Sequence, residues 1–159
     1  MPVIELETRI KSDIETCFDL ARSIDLHRIS TANTNEKSVA GRLSGLIEAG
    51  EFVTWQATHF LITQKLTSKI TAFTRPFHFR DEQQKGAFSY LIHDHYFSFQ
   101  GDQVLMRDFF SFQSPFGFLG KIVDRFVMTT YLSNLLIGRN KVIKAYAETD
   151  KWKNVLVEK

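Results

Sequence analysis

The sequence predicts an α+β fold in which an antiparallel sheet packs against one long C-terminal helix. Residues 3–10 alternate apolar and polar side chains, which is the period of a half-buried strand, and two short helical segments follow. From residue 51 onwards one strand pattern succeeds another, and residues 116–148 contain no proline and have a helical composition. A run of strands that ends in a helix is typical of α+β chains whose helix covers one face of the sheet.

The first elements are short. The stretch VIELETRI, residues 3–10, is the predicted first strand, and the spacing of Ser12 and Glu15 is that of a capping box, which predicts a helix capped by Ser12. A second short helix is predicted from Ile24 to Thr31. The three glycines within residues 40–51 then favour a strand, a turn and a loop.

Alternation also predicts the strands that form most of the sheet. The segments are residues 51–60, 61–73, 77–86, 87–100 and 103–115. The last two form a hairpin that turns at Gly101–Asp102. The second segment alternates most cleanly, and its even positions are predicted to face inward: Ile62, Gln64, Leu66, Ser68, Ile70 and Ala72.

The predicted C-terminal helix carries apolar side chains on two sides. Those of its first half are Leu119, Ile122, Val123 and Phe126, and those of its second half, on nearly the opposite side, are Leu135, Val142, Ile143 and Tyr146. One straight helix with a single buried stripe cannot have this pattern. We therefore expect a bend or break between about Val127 and Leu132. The alternative is that the first half packs on something other than the sheet, as a dimer contact or a mobile lid.

An aromatic loop precedes this helix. Phe116, Phe118 and Leu119 follow Pro115 and are flanked by glycines. The more common outcome for such residues is a hydrophobic staple to the helix, which is our prediction. A portal or an exposed apolar patch is the alternative.

Composition and charge narrow the classes of function. The 159 residues are expected to form a single domain over 1–159. A net charge of +2, from 20 basic and 18 acidic residues, gives no electrostatic footprint for nucleic acid. The lone cysteine, Cys17, excludes an internal disulfide and a cysteine-based zinc site. Fifteen phenylalanines predict either a thick core or an internal apolar cavity.

The N-terminal residues also bear on location. MPVIELETRI has neither a basic n-region nor an apolar h-region, and no apolar run approaches the length of a membrane span. We therefore expect a cytoplasmic protein without integral membrane association.

Four stretches carry a resemblance to a known superfamily. They are VAGRLSGLIEAGEFVTWQATHF, LTSKITAFTRPFHFRDEQQKGAF, LIHDHYFSF and MRDFFSFQSPFGFLG. Over nearly the whole chain the sequence resembles bacterial members of the SRPBCC superfamily, which has the helix-grip fold of START domains and the birch-pollen-allergen family. The branch it resembles is described as polyketide-cyclase-like or cell-division-inhibitor-like.

This resemblance implies a seven-stranded antiparallel sheet that grips a long C-terminal helix, with an apolar cavity between them. Members of the superfamily bind lipids, hormones, polyketides and other hydrophobic molecules, and a minority catalyse reactions on them. Fold alone does not choose among these roles.

Alternation selects the polar side chains that could enter such a cavity. In SYLIHDHYFSF the pattern places His93 and His95 on the inward, apolar face and points Asp94 to solvent. Applied to the other strands, it gives nine candidate ligand-binding residues: Trp55, His59, Gln64, Asp81, Gln83, His93, His95, Asp108 and Phe110. A buried polar group without a partner costs about 1–3 kcal/mol, so these side chains need partners, water or a ligand.

The favoured interpretation is a protein that binds a hydrophobic small molecule, such as a lipid, a polyketide or an aromatic compound, in an internal cavity. The alternative is a cyclase, dehydratase or hydrolase that uses His93 or His95, paired with Asp81 or Asp108, as general acid or base. A third class is an interaction protein that forms a homodimer through the first half of the long helix.

Metal and nucleophile chemistry receive less support from the sequence. Histidines two apart on one strand face could chelate an ion, but no tight ligand motif is present, so we assign no metal ligand and expect no cofactor. Neither RLSGL nor SFQSP has the spacing of a serine nucleophile elbow, and we assign no catalytic residue.

Overall fold

The sheet in the computed structural model, which describes residues 2–156, has seven antiparallel strands. They are β1 (Val3–Ile10), β2 (Lys37–Gly41), β3 (Phe52–His59), β4 (Ile62–Thr74), β5 (His78–Lys85), β6 (Tyr90–Gln100) and β7 (Gln103–Gln113). Their order across the sheet is β1-β7-β6-β5-β4-β3-β2, so each strand from β2 to β7 pairs with its neighbour in sequence. The seven-stranded antiparallel sheet that the resemblance implies is confirmed.

The helices form two groups. α1 (Ile14–Ala21) and α2 (Ile24–Ser30) follow β1, as predicted. The long C-terminal helix consists of α3 (Gly117–Val123), a π-helical turn and α4 (Thr129–Ala147), and a short α5 (Lys153–Leu156) follows it. α4 contacts β1, α1 and α2, which gives the helix-grip arrangement. Within residues 2–156 we find no helix with both the length and the apolar character needed to cross a membrane.

The cap of α1 differs from the prediction. Asp13, not Ser12, is the N-cap, and its Oδ1 accepts a hydrogen bond of 2.8 Å from the backbone N–H of Thr16. Asp13 has the extended backbone conformation that a cap requires, and its carboxylate lies at the positive end of the helix dipole.

The prediction that Ala72 faces inward is wrong, and a β-bulge is the cause. The register between β4 and β5 shifts between Ile70 and Ala72, so that Ile70 pairs with Asp81 but Phe73 pairs with Phe79. One extra residue in a strand reverses the faces of all residues beyond it. The ring of Phe73 therefore packs on the core, 5.4 Å from that of Phe18.

The C-terminal helix is not broken between Val127 and Leu132. It is continuous, and its irregularity is the π-helical turn at Asp124–Met128, where the Thr129 hydroxyl donates a 2.7 Å hydrogen bond to the carbonyl of Asp124. A π turn rotates the residues that follow it relative to those before it. It therefore contributes to the two different apolar sides that the sequence pattern showed.

The aromatic loop does not form the predicted hydrophobic staple. Phe116 and Phe118 are 83% and 77% exposed, and apolar residues of α3 and the π turn are exposed beside them. We call these residues the exposed apolar surface: Phe116, Phe118, Leu119, Ile122, Val123, Phe126 and Val127. The first half of the long helix thus leaves its apolar side uncovered in a single copy of residues 2–156.

The core consists of two apolar clusters that meet along β6. Leu91 belongs to the smaller cluster, with Phe112 and Leu136, and Phe97 belongs to the larger one. His93 and His95 share the inward face of β6 and lie between these two positions. The prediction that both histidines face inward is confirmed. Their polar side chains lie where one apolar cluster ends and the other begins.

Asp94 lies on the opposite face of β6, but it does not point to solvent as predicted. Its Oδ1 and Oδ2 accept hydrogen bonds of 2.9 and 2.8 Å from Arg80, and Nε2 of His78 lies 2.7 Å from Oδ1. These two β5 side chains share its face and cover it, so only 8% of the residue is exposed.

Candidate functional site

A cavity of about 200 Å³ lies between the inner face of the sheet, α4 and the segment that joins α1 to α2. Its lining is mostly apolar and includes Val53, Trp55, Ile70, Phe79, Leu91 and Leu136. An apolar cavity with a few convergent polar groups is the usual form of a small-molecule site.

At one end of the cavity the two histidines of β6 meet an aspartate from each neighbouring strand. Cross-strand pairing places Asp81 of β5 opposite His93, and Asp108 of β7 opposite His95. The close contacts are diagonal: Nε2 of His93 lies 2.8 Å from Oδ1 of Asp108, and Nε2 of His95 lies 3.0 Å from Oδ2 of Asp81. Each imidazole is thus paired with one carboxylate. We call these four residues the His–Asp cluster.

Asp108 lies behind both histidines, away from the cavity, and is 0% exposed. Its Oδ2 accepts a 2.6 Å hydrogen bond from the side-chain amide of Asn140 on α4. Its Oδ1 is also 3.0 Å from Nδ1 of His95, but that contact lacks hydrogen-bond geometry, and Nδ1 has no partner within residues 2–156. One carboxylate therefore contacts the rear nitrogens of both rings.

Asp81 lies in front of the histidines and faces the cavity. Its side chain is 27% exposed, and its Oδ1 accepts a 3.2 Å hydrogen bond from the hydroxyl of Ser68 on β4. Its Oδ2 lies 3.9 Å from Nδ1 of His93, too far for a hydrogen bond. Asp81 and the front nitrogen of His93 are therefore accessible to a bound molecule.

α4 also brings a cation to the cluster. Nη1 of Arg139 lies 3.9 Å from Oδ1 of Asp108, and Nη2 donates a 2.8 Å hydrogen bond to the carbonyl of Ala21 at the end of α1. The guanidinium, which lines the cavity, is itself buried. The arginine thus joins α1, α4 and the polar end of the cavity.

The pKa values of the cluster are shifted in ways that follow from these contacts. Burial lowers the pKa of His93 to about 4, and the positive charge of a protonated His95 acts in the same direction. Burial alone would raise the pKa of Asp81, but the hydrogen bond from His95 and the charges of His93, His95 and Arg139 lower it to about 2. Burial likewise opposes ionisation of Asp108, yet the hydrogen bond from His93 and the nearby imidazole of His95 hold its pKa well below the usual value. At neutral pH the cluster therefore contains two carboxylates and a neutral His93.

A second polar group lines the cavity away from the His–Asp cluster. Nδ1 of His59 lies 2.7 Å from the hydroxyl of Tyr131, and Nε2 of His27 lies 3.2 Å from Oε1 of Glu36. The ring of His27 also stacks on Trp55, with 4.2 Å between centroids. The cavity therefore has polar side chains in two places, separated by apolar lining.

The structure brings together most of the residues that alternation selected. Six of the nine line the cavity: Trp55, His59, Asp81, His93, His95 and Phe110. Asp108 lies directly behind them. Gln64 and Gln83 are not among the residues that line this cavity. Gln83 instead donates a 2.7 Å hydrogen bond to the carbonyl of Phe88 and so supports the turn between β5 and β6.

The sequence reasoning missed the polar residues that α4 contributes. Arg139 and Asn140 are both buried, and Asn140 lies on the same helical stripe as Leu136, Ile143 and Ala147. The spacing 136, 140, 143 and 147 is that of one buried helix face. An asparagine on such a stripe was the available signal, because a buried amide needs a partner.

The cluster offers two kinds of chemistry. A histidine hydrogen-bonded to a buried carboxylate can accept or donate a proton at its other nitrogen. Separately, Asp81, His93 and His95 each offer a ligand atom, and these atoms all lie within 4.8 Å of one another, close enough to hold a metal ion.

Comparisons with known proteins show similarity in structure but not in sequence. No family model matches the chain, and no curated protein matches it. A START superfamily protein from Mycobacterium smegmatis is similar at a TM-score of 0.68 and 9% identity, covering 92% of this chain and 97% of that one. Major latex-like protein 151 from Panax ginseng has a TM-score of 0.68 and 16% identity, covering 93% and 98%. CalU16 from Micromonospora echinospora has a TM-score of 0.56 and 12% identity, covering 96% and 85%.

These similarities establish the fold. The chain has the helix-grip fold, as the resemblance in its sequence implied. Identities this low carry the architecture and nothing about the ligand, so the function must be argued from the site.

Proposed function

We propose that the protein binds a hydrophobic small molecule in the cavity between the sheet and the C-terminal helix. The observation that supports this is a mostly apolar internal cavity with accessible polar groups, Asp81 and Nδ1 of His93, at one end. Apolar contact contributes roughly 0.8 kcal/mol for each buried CH₂ group, and the polar end orients the molecule. We further propose that the protein acts in the cytoplasm.

The size and charge of the cavity narrow the class of ligand. An apolar cavity of about 150 Å³ is large enough for benzene, so a cavity of about 200 Å³ suits one or two rings or a short chain better than a two-tailed lipid. Asp81 is an ionised acceptor, and a ligand carboxylate would be repelled by it. We therefore propose an aromatic or polyketide-like compound whose hydroxyl or phenol donates a hydrogen bond to Asp81 or to Nδ1 of His93.

The test is native mass spectrometry of protein purified from its own host. Any retained molecule is then extracted under denaturing conditions and identified. We expect an adduct of small mass on the wild-type protein. Leu132→Trp places a large ring in the cavity lining and should abolish the adduct. Ile137→Trp, on the exposed side of the same helix, is the matched control and should retain it.

Two results would contradict the proposal. One is wild-type protein that carries no small molecule and takes up no hydroxylated one- or two-ring aromatic compound when a panel is titrated. The other is an adduct that Leu132→Trp and Ile137→Trp retain equally, because the molecule would then lie outside the cavity.

A second candidate function is acid–base catalysis on the bound molecule. The observation that favours it is the pair of His93 and Asp108, with 2.8 Å between Nε2 and Oδ1 and with Nδ1 of the same ring facing the cavity side. An imidazole oriented by a buried carboxylate can accept a proton from a bound molecule at its other nitrogen. Turnover of an extracted ligand that disappears in His93→Gln but not in His59→Gln would support this function, and equal loss in both variants would contradict it.

The homodimer stays a prediction. The exposed apolar surface is where two copies would meet, and its exposure in the single chain is the observation that supports pairing. The sedimentation experiment described in the Discussion tests it.

A further inference from the structure

Three metal-binding side chains converge at the polar end of the cavity. We propose that Asp81, His93 and His95 form a site for a divalent first-row transition-metal ion such as zinc, cobalt, manganese or iron. This proposal does not rest on the organic ligand proposed above, although both use Asp81 and Nδ1 of His93, so an ion bound there would compete with a direct hydrogen bond from that ligand.

The front atoms of the three side chains define the site. Oδ2 of Asp81 lies 3.0 Å from Nε2 of His95 and 3.9 Å from Nδ1 of His93. Metal–ligand bonds of about 2.0–2.2 Å to nitrogen and oxygen require neighbouring ligand atoms roughly 3–3.5 Å apart. The distance to His95 lies in this range and the distance to His93 is longer, and one ligand atom from each residue lies within 4.8 Å of the others, so side-chain rotations that bring the atoms closer complete the geometry.

Asp108 supplies the support that metal-binding histidines usually have. Its Oδ1 lies 2.8 Å from Nε2 of His93 and 3.0 Å from Nδ1 of His95, and these are the two nitrogens that face away from Asp81. A ligating histidine generally donates its other N–H to a carboxylate, which fixes the tautomer and the orientation of the ring. One buried carboxylate does this for His93 and lies 3.0 Å from the corresponding nitrogen of His95, and Asn140 holds it in place.

The unpartnered nitrogen of His95 is a second, independent observation. When neutral His95 donates from Nε2 to Asp81, its Nδ1 carries a lone pair that faces the Asp108 carboxylate without a hydrogen bond. Such a buried, unsatisfied group is unfavourable. A metal ion on Nε2 moves the proton to Nδ1, and a small rotation of the ring lets Oδ1 of Asp108, 3.0 Å away, accept it. Metal binding therefore removes an unfavourable contact that the neutral, metal-free ring retains.

The net charge of the His–Asp cluster and the rigidity of its strands also suit a bound cation. With neutral imidazoles, Asp81 and Asp108 contribute two negative charges and Arg139 one positive charge, which leaves an excess of one negative charge for a divalent ion to neutralise. Asp81 of β5 pairs with His93 of β6, His95 lies two residues further along β6, and Ser68 orients Asp81. A site held by sheet residues changes little in geometry when the ion binds.

The set of donor atoms indicates which ions the site would prefer and how many coordination positions would stay open. Two imidazoles and one carboxylate suit zinc, iron, cobalt and manganese better than calcium or magnesium, which prefer oxygen ligands. Three protein ligands leave at least one coordination position free. That position lies on the cavity side, where Asp81 is partly exposed.

Titration of chelator-treated protein with Co²⁺, followed by visible absorption, and with Zn²⁺, followed by calorimetry, tests the site. We expect one ion per chain. Asp81→Asn and His95→Gln should each weaken binding by tenfold or more, and Asp108→Asn should weaken it by about 10–100-fold. His78→Gln is the matched control, because His78 also pairs with an aspartate but lies on the other face of the sheet.

The outcomes separate the proposal from its alternatives. Binding that His95→Gln and Asp81→Asn do not weaken, or that His78→Gln weakens equally, overturns it, as does wild-type protein that binds neither ion at micromolar concentrations. Where a variant does not fold, pulsed electron paramagnetic resonance of wild-type protein loaded with Cu²⁺ decides instead. Two coupled imidazole nitrogens support the site, and fewer than two overturn it. The adduct experiment on the cavity uses no metal, so failure of either proposal leaves the other standing.

Discussion

Asp108→Asn is the substitution that tests the centre of the His–Asp cluster. Asp108 is fully buried and accepts hydrogen bonds from Asn140 at 2.6 Å and from His93 at 2.8 Å, with His95 a further 3.0 Å contact. An asparagine has one acceptor oxygen and an amide that faces other donors. Hydrogen bonds to charged groups contribute about 1.5–3 kcal/mol each, so the loss of one or two, together with the buried groups left unpaired, should cost about 3–5 kcal/mol.

The expected loss is large compared with the total stability of a domain, which is about 5–15 kcal/mol. In urea unfolding monitored by tryptophan fluorescence, the midpoint should fall at unchanged slope. The melting temperature should fall by roughly 2–4 °C for each kcal/mol in a protein of this size. Asp102→Asn, in the exposed turn between β6 and β7, is the control and should change stability by less than about 0.5 kcal/mol. A loss below about 1 kcal/mol for Asp108→Asn would refute the reasoning, because the carboxylate would then not be a required acceptor.

Three further predictions concern the outer face, the core and the exposed apolar surface. The pKa of Asp94 is lowered in the folded protein, since hydrogen bonds from Arg80 and His78 outweigh its burial. The stability that this carboxylate contributes is therefore fully present above its pKa in the unfolded chain, and it is lost as the pH falls through its pKa in the folded protein. Asp94→Asn should therefore be less stable than wild type in urea at pH 7 and equal to it in strong acid, and an equal deficit at both pH values would contradict this. Phe73→Ala should destabilise by about 2–4 kcal/mol, because the bulge turns this ring into the core, whereas an effect below about 1 kcal/mol would place the ring outside it. If two copies pair, Phe118→Ser with Phe126→Ser should lower the sedimentation coefficient without changing ligand uptake, and a wild-type monomer would remove the dimer prediction.

The sequence predicted the fold well because strand alternation is a local property. The inward placement of His93 and His95 follows from a period of two residues, and it holds wherever the ladder is regular. It failed at Ala72, where an extra residue reversed the faces of β4. No residue type in the sequence marks that bulge, since the pattern on either side of it is compatible with a regular strand.

The site was less predictable because half of it depends on contacts between distant elements. Alternation found the cluster residues on the sheet, but Arg139 and Asn140 reach it from α4, to which strand alternation does not apply. Which strand residues the buried face of a helix meets depends on how the helix packs on the sheet, and a local pattern does not give that packing. Asp94 illustrates the same limit. Alternation predicted its face correctly, but only the register between β5 and β6 shows that β5 side chains cover it.

The His–Asp cluster is difficult to explain as a means of stabilising the fold. Burying two carboxylates and a guanidinium costs several kcal/mol per ion before any pairing, and an apolar replacement of similar volume is often as stable or more stable. The large effect expected for Asp108→Asn does not contradict this, because removing one partner leaves His93 and Asn140 unpaired. The cluster also interrupts the core between Leu91 and Phe97, where apolar side chains would join the two clusters. Its position at the wall of a cavity, with Asp81 and the front nitrogens turned inward, therefore supports the proposals that a small molecule or an ion binds there.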